Sequence, residues 1–304
     1  MNNKIDDLKK VYEEIEIPNN LDEVVNNALK NGGDKMSKEK VNRKWIKGAG
    51  IAAAVIVIFT ISVNTMPVFA NSLINIPGVG QLVKVLQFND GKGAGGKITD
   101  GSDVNAIRIK SNKDSESIII NFAQDKGASS TAPSYEIDYK NNPYTMTFTI
   151  SGARELNAEQ YFEGLKESKY IYDVYKLMTL DDSMVRFTVV FNKPIKYEVK
   201  EYKDPAYLEV DLKEDTLKGE TMYSVRTESQ PFGEGIGITE EILFEENGKR
   251  MLKDLNGTFC IEVGLYNSKE EAEKRLEEVK GKYGSNLNFF IEERMGEEAP
   301  NSLN

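Results

Sequence analysis

The sequence predicts an α+β protein: a cytoplasmic helical tail, one transmembrane helix, a β-rich extracytoplasmic domain, then a βαββαβ ferredoxin-like domain. Three observations lead there. Positions 48–63 are sixteen consecutive residues without a charge, nearly all apolar, and the low-charge stretch continues to Ala70. That length crosses a hydrocarbon layer of about 30 Å at about 1.5 Å per helical residue. After residue 104, short runs rich in Ile, Val, Tyr, Phe and Thr are punctuated by Asp, Asn, Gly and Pro, the pattern of strands and turns. From 221 onward the period changes, and a capped helix follows a hairpin signal.

Residues 1–34 carry two amphipathic stretches separated by Pro18. In the first, Ile5, Leu8, Val11, Tyr12 and Ile15 recur at helical spacing. In the second, Leu21, Val24, Val25, Ala28 and Leu29 form one stripe, opened by Asn20 and Glu23 and closed by Gly32-Gly33. Helices this short are marginal alone in water. Two readings stand: a fraying tail, or a stripe that docks in a partner's groove.

Residues 35–47 hold six Lys or Arg against Glu39, whereas 1–34 hold four Lys against eight acids. After the span, the next basic residue is Lys84. The positive-inside rule therefore places the N-terminus in the cytoplasm and residues 71–304 outside. Trp45, between Lys44 and Lys47, reads as an interfacial anchor, and the basic run suits anionic lipid headgroups. Val68-Phe69-Ala70 also matches a small-x-small processing site. The 44-residue head is long for a removed signal, so an uncleaved anchor over 48–70 is the expectation.

Residues 71–88 are a further amphipathic piece, lying on the outer membrane interface or packing on the next domain. Residues 89–103, rich in Gly and small polar residues, read as a spacer, which makes 71–103 a juxtamembrane segment and linker. Strands are expected at Ala106–Lys110, Ser117–Phe122, Tyr135–Tyr139, Tyr144–Ile150, Met184–Phe191, Tyr197–Tyr202 and Tyr207–Leu212, with a helix over Ala158–Lys166. Together they give a β-rich domain over 104–216.

Within 221–294 the expected order is a strand at Tyr223–Thr227, a helix at Thr239–Glu246, then strands at Lys249–Lys253 and Phe259–Leu265 turning at Asn256-Gly257. Ser268 and Glu271 open a helix with Ala272, Leu276, Val279 and Tyr283 on its core stripe, and Asn288–Glu292 supplies the last strand. Residues 295–304 read as a disordered end.

With no histidine and the single cysteine Cys260, the chain cannot assemble a Cys/His zinc site, a Ser-His-Asp unit or an internal disulfide. No catalytic motif is found, so neither an enzyme nor a cofactor is expected. A net charge of −10 argues against nucleic acid.

Three stretches resemble known families. Phe259-Cys-Ile-Glu-Val-Gly-Leu-Tyr266 and the helix to Leu276 resemble the second half of a SPOR domain, although Tyr223–Gln230 lacks the family's Gly and aromatic. That resemblance implies binding to peptidoglycan glycan strands. Alternation would then turn Ile261 and Val263 to the helices, and Ser224, Arg226, Cys260 and Glu262 to a glycan groove. Met184–Leu212, ending Asp204-Pro-Ala-Tyr-Leu-Glu-Val-Asp-Leu212, resembles an AMIN domain, a β-fold used for envelope targeting. Asn64-Thr-Met-Pro-Val-Phe-Ala70 and Ile76-Pro-Gly-Val-Gly-Gln-Leu-Val-Lys-Val-Leu86 are similar to the front end of anti-sigma-factor-like membrane proteins of Gram-positive bacteria. Without the His/Cys motif of many anti-sigma domains, the sigma binding this implies is zinc-free.

Two functional expectations follow. The first is a membrane-anchored, peptidoglycan-binding envelope protein. The alternative is a transmembrane anti-sigma-type regulator whose outer domains sense the wall and whose residues 1–30 hold a sigma factor.

Overall fold

The computed structural model describes residues 81–88, 91–111, 115–125, 127–216 and 219–303. The predicted tail, basic run and apolar span, all within 1–80, lie outside the described residues. Among those described, no helix is long and apolar enough to cross a membrane.

Two sheets pack face to face over residues 81–214. One has the order β1 (Gln81–Val85), β11 (Ile195–Lys203), β12 (Tyr207–Glu214), β4 (Glu116–Gln124), β3 (Ser102–Ser111) and β8 (Ala153–Glu155), with β5 (Gly127–Ala128) beside β4. The other runs β2 (Lys92–Gly95), β6 (Tyr135–Lys140), β7 (Thr145–Ser151), β10 (Met184–Phe191) and β9 (Ile171–Lys176). Alternation supplies the core between them. Ile118, Ile120 and Phe122 of β4 and Leu208, Val210 and Leu212 of β12 meet Met146, Phe148 and Ile150 of β7 and Phe187 and Val189 of β10. Phe148 stacks on Phe187 at 4.8 Å, and Phe162 approaches Phe187 at 5.8 Å from the short helix α1 (Phe162–Leu165), which follows a 3-10 turn at Asn157–Tyr161.

This sandwich begins earlier than residue 104. Gln81–Val85 is an edge strand, and Lys92–Gly95 lies inside the stretch expected to be a spacer. The glycines there serve close approach rather than flexibility. A Cβ on Gly95 would fall 2.2 Å from the Tyr135 hydroxyl and 2.6 Å from a Glu201 carboxylate oxygen.

Residues 222–294 form the succession β13 (Met222–Thr227), α2 (Glu234–Ile242), β14 (Arg250–Lys253), β15 (Phe259–Tyr266), α3 (Lys269–Tyr283) and β16 (Phe289–Arg294). The strands order as β14-β15-β13-β16, all antiparallel. Both helices bury Ile236, Ala272 and Val279 against Val225, Ile261, Val263 and Phe289 on one face. Helix α2 sits several residues before the expected Thr239–Glu246. Glycines mask it; Gly237 lets Leu180 and Met178 pack close, since a Cβ there would crowd them at 3.1–3.3 Å. Ser268 caps α3 by accepting from the Glu271 amide at 3.3 Å.

Tyr175, Leu177 and Val190 of the sandwich join this second core, and the ion pairs Arg186–Glu240 (2.6 Å) and Lys253–Asp173 (2.8 Å) cross the same seam. Residues 295–303 do not match the disordered end expected of them. The Ser229 amide donates to the Leu303 carbonyl at 2.7 Å, and the Leu255 amide donates to that of Pro300 at 2.9 Å.

One local clamp gives a pH expectation. Glu246, 8% exposed, accepts from the Tyr283 hydroxyl (2.6 Å) and Lys282 (3.1 Å) and pairs with Arg275. Burial pushes its carboxyl up, but these donors outweigh it and bring the pKa to about 2. A depressed carboxylate contributes stability that is complete above its unfolded value near 4.5 and drains as pH falls toward 2. Glu246→Gln should therefore lower stability at pH 7 by about 1–2 kcal/mol and flatten the loss between pH 4.5 and 2, read by chemical denaturation.

Candidate functional site

The sheet face opposite α2 and α3 is polar and covered. Strand alternation puts Ser224 and Arg226 (β13), Cys260 and Glu262 (β15), and Glu292 and Arg294 (β16) on that face, with Arg250 at the end of β14. All but Arg250 are buried, Ser224, Arg226 and Cys260 at 0% exposure. The Arg226 guanidinium donates to Glu292 at 2.6 Å, and Arg294 bridges Glu292 (3.1 Å) and Glu262 (2.5 Å). Arg250 also donates to Glu262 at 2.5 Å, as does the Ser224 hydroxyl at 2.6 Å.

Two distant segments close over this array. Arg294 reaches the Asn142 carbonyl at 3.0 Å, and Arg250 reaches those of Asn141 (3.0 Å), Asn142 and Pro143 (3.3 Å), all in the turn between β6 and β7. On the other side, the Asn301 carbonyl accepts from Arg226 at 2.6 Å. Its amide and side-chain nitrogens donate to Glu292 at 2.6 and 2.9 Å. Beside the array, a cleft of about 570 Å³ is lined by Tyr139, Tyr144, Met222 and Arg250 among others.

The electrostatics are those of a structural junction. Burial raises the Glu262 carboxyl, but Arg250 and Arg294 outweigh it and hold its pKa below the usual carboxylate range. Burial lowers Arg294, and Glu262 and Glu292 more than restore it. The Cys260 thiol is pushed up to about 12 by burial, against the pull of Arg226 and Arg294. At that value it carries no useful thiolate at neutral pH.

The four residues predicted to line a glycan groove thus come together on one face, as the alternation required. All four are buried, Ser224, Arg226 and Cys260 fully; of the four, Glu262 borders the cleft beside the array, and Asn301 closes over Arg226. Sequence reasoning missed Arg250, Glu292, Arg294 and Asn301. Arg250 and Glu292 lie in strands that were anticipated, so alternation put them within reach; Arg294 lies two residues beyond the expected end of the last strand, which runs Phe289–Arg294. The stripe Leu21, Val24, Val25, Ala28 and Leu29 lies outside the described residues. Among the described residues no cluster of three or more acidic or sulfur ligands is placed to hold a metal.

Comparison with known proteins adds two findings. Residues 40–151 match a family described as a domain of unknown function, DUF4179. The matched stretch starts in the basic run, passes through the apolar segment and ends with β7. A curated relative, the anti-sigma-V factor RsiV of Bacillus subtilis (strain 168), is 31% identical over 110 residues. That match covers 36% of this chain and 34% of the relative, so the chain spans about a third of the protein it resembles.

Proposed function

We propose that this chain is a transmembrane regulator of the anti-sigma type. In this reading residues 48–70 anchor it, residues 1–34 face the cytoplasm with 1–30 holding a sigma factor, and the sandwich with its C-terminal partner lies outside. The observation that carries it is the likeness to a protein named as an anti-sigma factor. The family match supports the layout, because basic run, apolar segment and the first strands of the sandwich fall within one matched unit. The glycan-groove reading has no comparable support, since its four side chains are buried.

Sigma binding would use the apolar stripe of the second head helix, and no catalysis is invoked. Burying a Val or Leu side chain contributes about 1.5–3 kcal/mol. Val25→Asp with Leu29→Asp should therefore reduce retention of a sigma factor at least about a hundredfold. The test is co-purification of the full chain, in detergent, with sigma factors of its host. Retention by the wild type and loss by the double variant supports the reading. No sigma factor retained, or equal retention by both, overturns it.

A further inference from the structure

Among the described residues of the sandwich, Arg108 is a cation with guanidinium nitrogens buried and without a partner. It sits on β3, whose outer edge pairs with no strand of the described residues beyond Asp103, where β8 ends its pairing. The 3-10 turn and α1 pack along that bare edge. Between them opens a cleft of about 420 Å³, which Arg108 lines together with Ile107, Ser111, Gln160, Tyr161 and Ser168.

The guanidinium is partly buried, yet it forms no ion pair and donates no hydrogen bond among the described residues. Its Nε and one terminal nitrogen are buried outright without a partner. Burial lowers its pKa, offset in part by interaction with the Tyr161 and Tyr207 phenols. Two of the carboxylates near it, Glu209 and Glu116, are committed elsewhere. Glu209, across β4 on the same sheet face, takes Lys110 at 2.9 Å and the Tyr202 hydroxyl at 3.1 Å. Glu116 takes the Ser168 hydroxyl at 2.5 Å. Desolvating a guanidinium without pairing it is costly, and such groups concentrate where a ligand completes them.

We propose that the cleft at Arg108 binds a ligand through a monoanionic carboxylate. Arginine's planar fork suits a carboxylate. Glu116 and Glu167 share the lining, so a dianionic phosphate meets two like charges where a carboxylate carries half the charge. Ile107, Ile109 and Leu165 add apolar wall, and Tyr161, 45% exposed, offers a ring at the same cleft. The ligand is therefore a compact organic acid group, from a sugar acid or a peptide terminus, rather than an inorganic anion. This site is independent of sigma binding, and its failure would leave the anti-sigma reading untouched.

The experiment is isothermal titration of the full chain in detergent, with Arg108→Gln alongside. N-acetylmuramic acid is set against N-acetylglucosamine, which lacks the carboxylate. Trialanine is set against trialanine amide, and inorganic phosphate is the dianion. Binding of one acid but not its uncharged counterpart supports the proposal and identifies the source. Arg108→Gln should weaken that binding at least about tenfold. The variant's own unfolding midpoint should stay level or rise, because it removes an uncompensated buried charge. No binding by either acid, binding of phosphate alone, or unchanged binding in Arg108→Gln overturns the proposal. So does a fall in the variant's midpoint, the mark of a merely structural arginine.

Discussion

Glu262→Gln should destabilise the folded protein by about 3–5 kcal/mol, while Arg294→Met should cost only about 1–2 kcal/mol. Counted by bonds alone, the two residues look alike: Glu262 accepts from Arg250, Arg294 and Ser224, and Arg294 donates to Glu262, Glu292 and Asn142. Counting charge separates them. The buried array sets three guanidiniums, Arg226, Arg250 and Arg294, against two carboxylates, Glu262 and Glu292. Neutralising Glu262 leaves three cations facing one anion in a desolvated seam. Removing Arg294 leaves two complete pairs, Arg226–Glu292 and Arg250–Glu262.

The pH dependence follows with its sign. The folded pKa of Glu262 lies below its unfolded value. Its contribution is thus full above its unfolded value near 4.5 and is lost as pH falls below that point. Wild type should weaken over this range more than Glu262→Gln does. Denaturant unfolding of both variants at pH 7 and pH 4 measures all of this. Equal losses at pH 7, or the larger loss in Arg294→Met, would mean that packing rather than charge balance governs the seam.

That seam explains why part of the architecture could be read from sequence and part could not. Local chemistry was legible wherever one segment decides its own shape. Asn256-Gly257 turns β14 into β15, and Gly257 adopts φ 81°, a conformation glycine takes freely. Ser268 caps α3, and the Ile-rich alternation of β4 builds the core face. Alternation also sorted Ile261 and Val263 from Cys260 and Glu262 correctly, because side-chain direction in a strand has period two.

What alternation cannot say is what covers a face. The carbonyls that satisfy Arg250 and Arg294 come from Asn141–Pro143, more than a hundred residues upstream, and the strap comes from residues 299–303. A polar face closed by distant backbone reads, in sequence, like a polar face open to a ligand. The glycines misled in a related way. Gly93 and Gly95 suggested a spacer, yet a Cβ on Gly95 would clash with Tyr135 and one on Gly93 would crowd the Phe88 ring. Arg108 had no sequence signal, since its lack of a partner is visible only once every neighbouring carboxylate has been assigned.

The second large effect concerns the first described strand after the predicted anchor in sequence. Glu201→Ala should loosen β1 selectively, raising amide hydrogen exchange over residues 82–86 by about 10- to 100-fold, the equivalent of about 1.4–2.7 kcal/mol of local opening free energy. All five residues of β1 are exposed, and among the described strands it pairs with β11 alone. Little apolar burial holds the strand itself; Leu86 and Phe88 anchor the chain only just beyond it. The register shifts between Leu82 and Lys84. Lys84 then donates to the Ala94 carbonyl at 3.0 Å and approaches Glu201 at 3.7 Å, tying the edge of one sheet to the edge of the other. Glu201, 4% exposed, is the hub: it also accepts from the Tyr135 hydroxyl at 2.7 Å and the Gly96 amide at 3.1 Å. Burial first, and then that bond, raises the Tyr135 pKa, so the phenol stays protonated and keeps donating.

Truncating Glu201 strands three donors at once, two of them inside the fold. Lys84→Met removes one ammonium whose side chain is 42% exposed and should cost at most about 1 kcal/mol. Exchange measured residue by residue distinguishes the outcomes. Acceleration confined to β1 and β2 identifies Glu201 as the clamp on the strand that follows the predicted span. Uniform acceleration through Ile118–Phe122 would make it an ordinary core contact. Unchanged exchange at 82–86 would show that the backbone ladder to β11 holds β1 without it. In the anti-sigma reading, local release of β1 would leave the rest of the sandwich folded while freeing the first described strand that follows the predicted anchor in sequence.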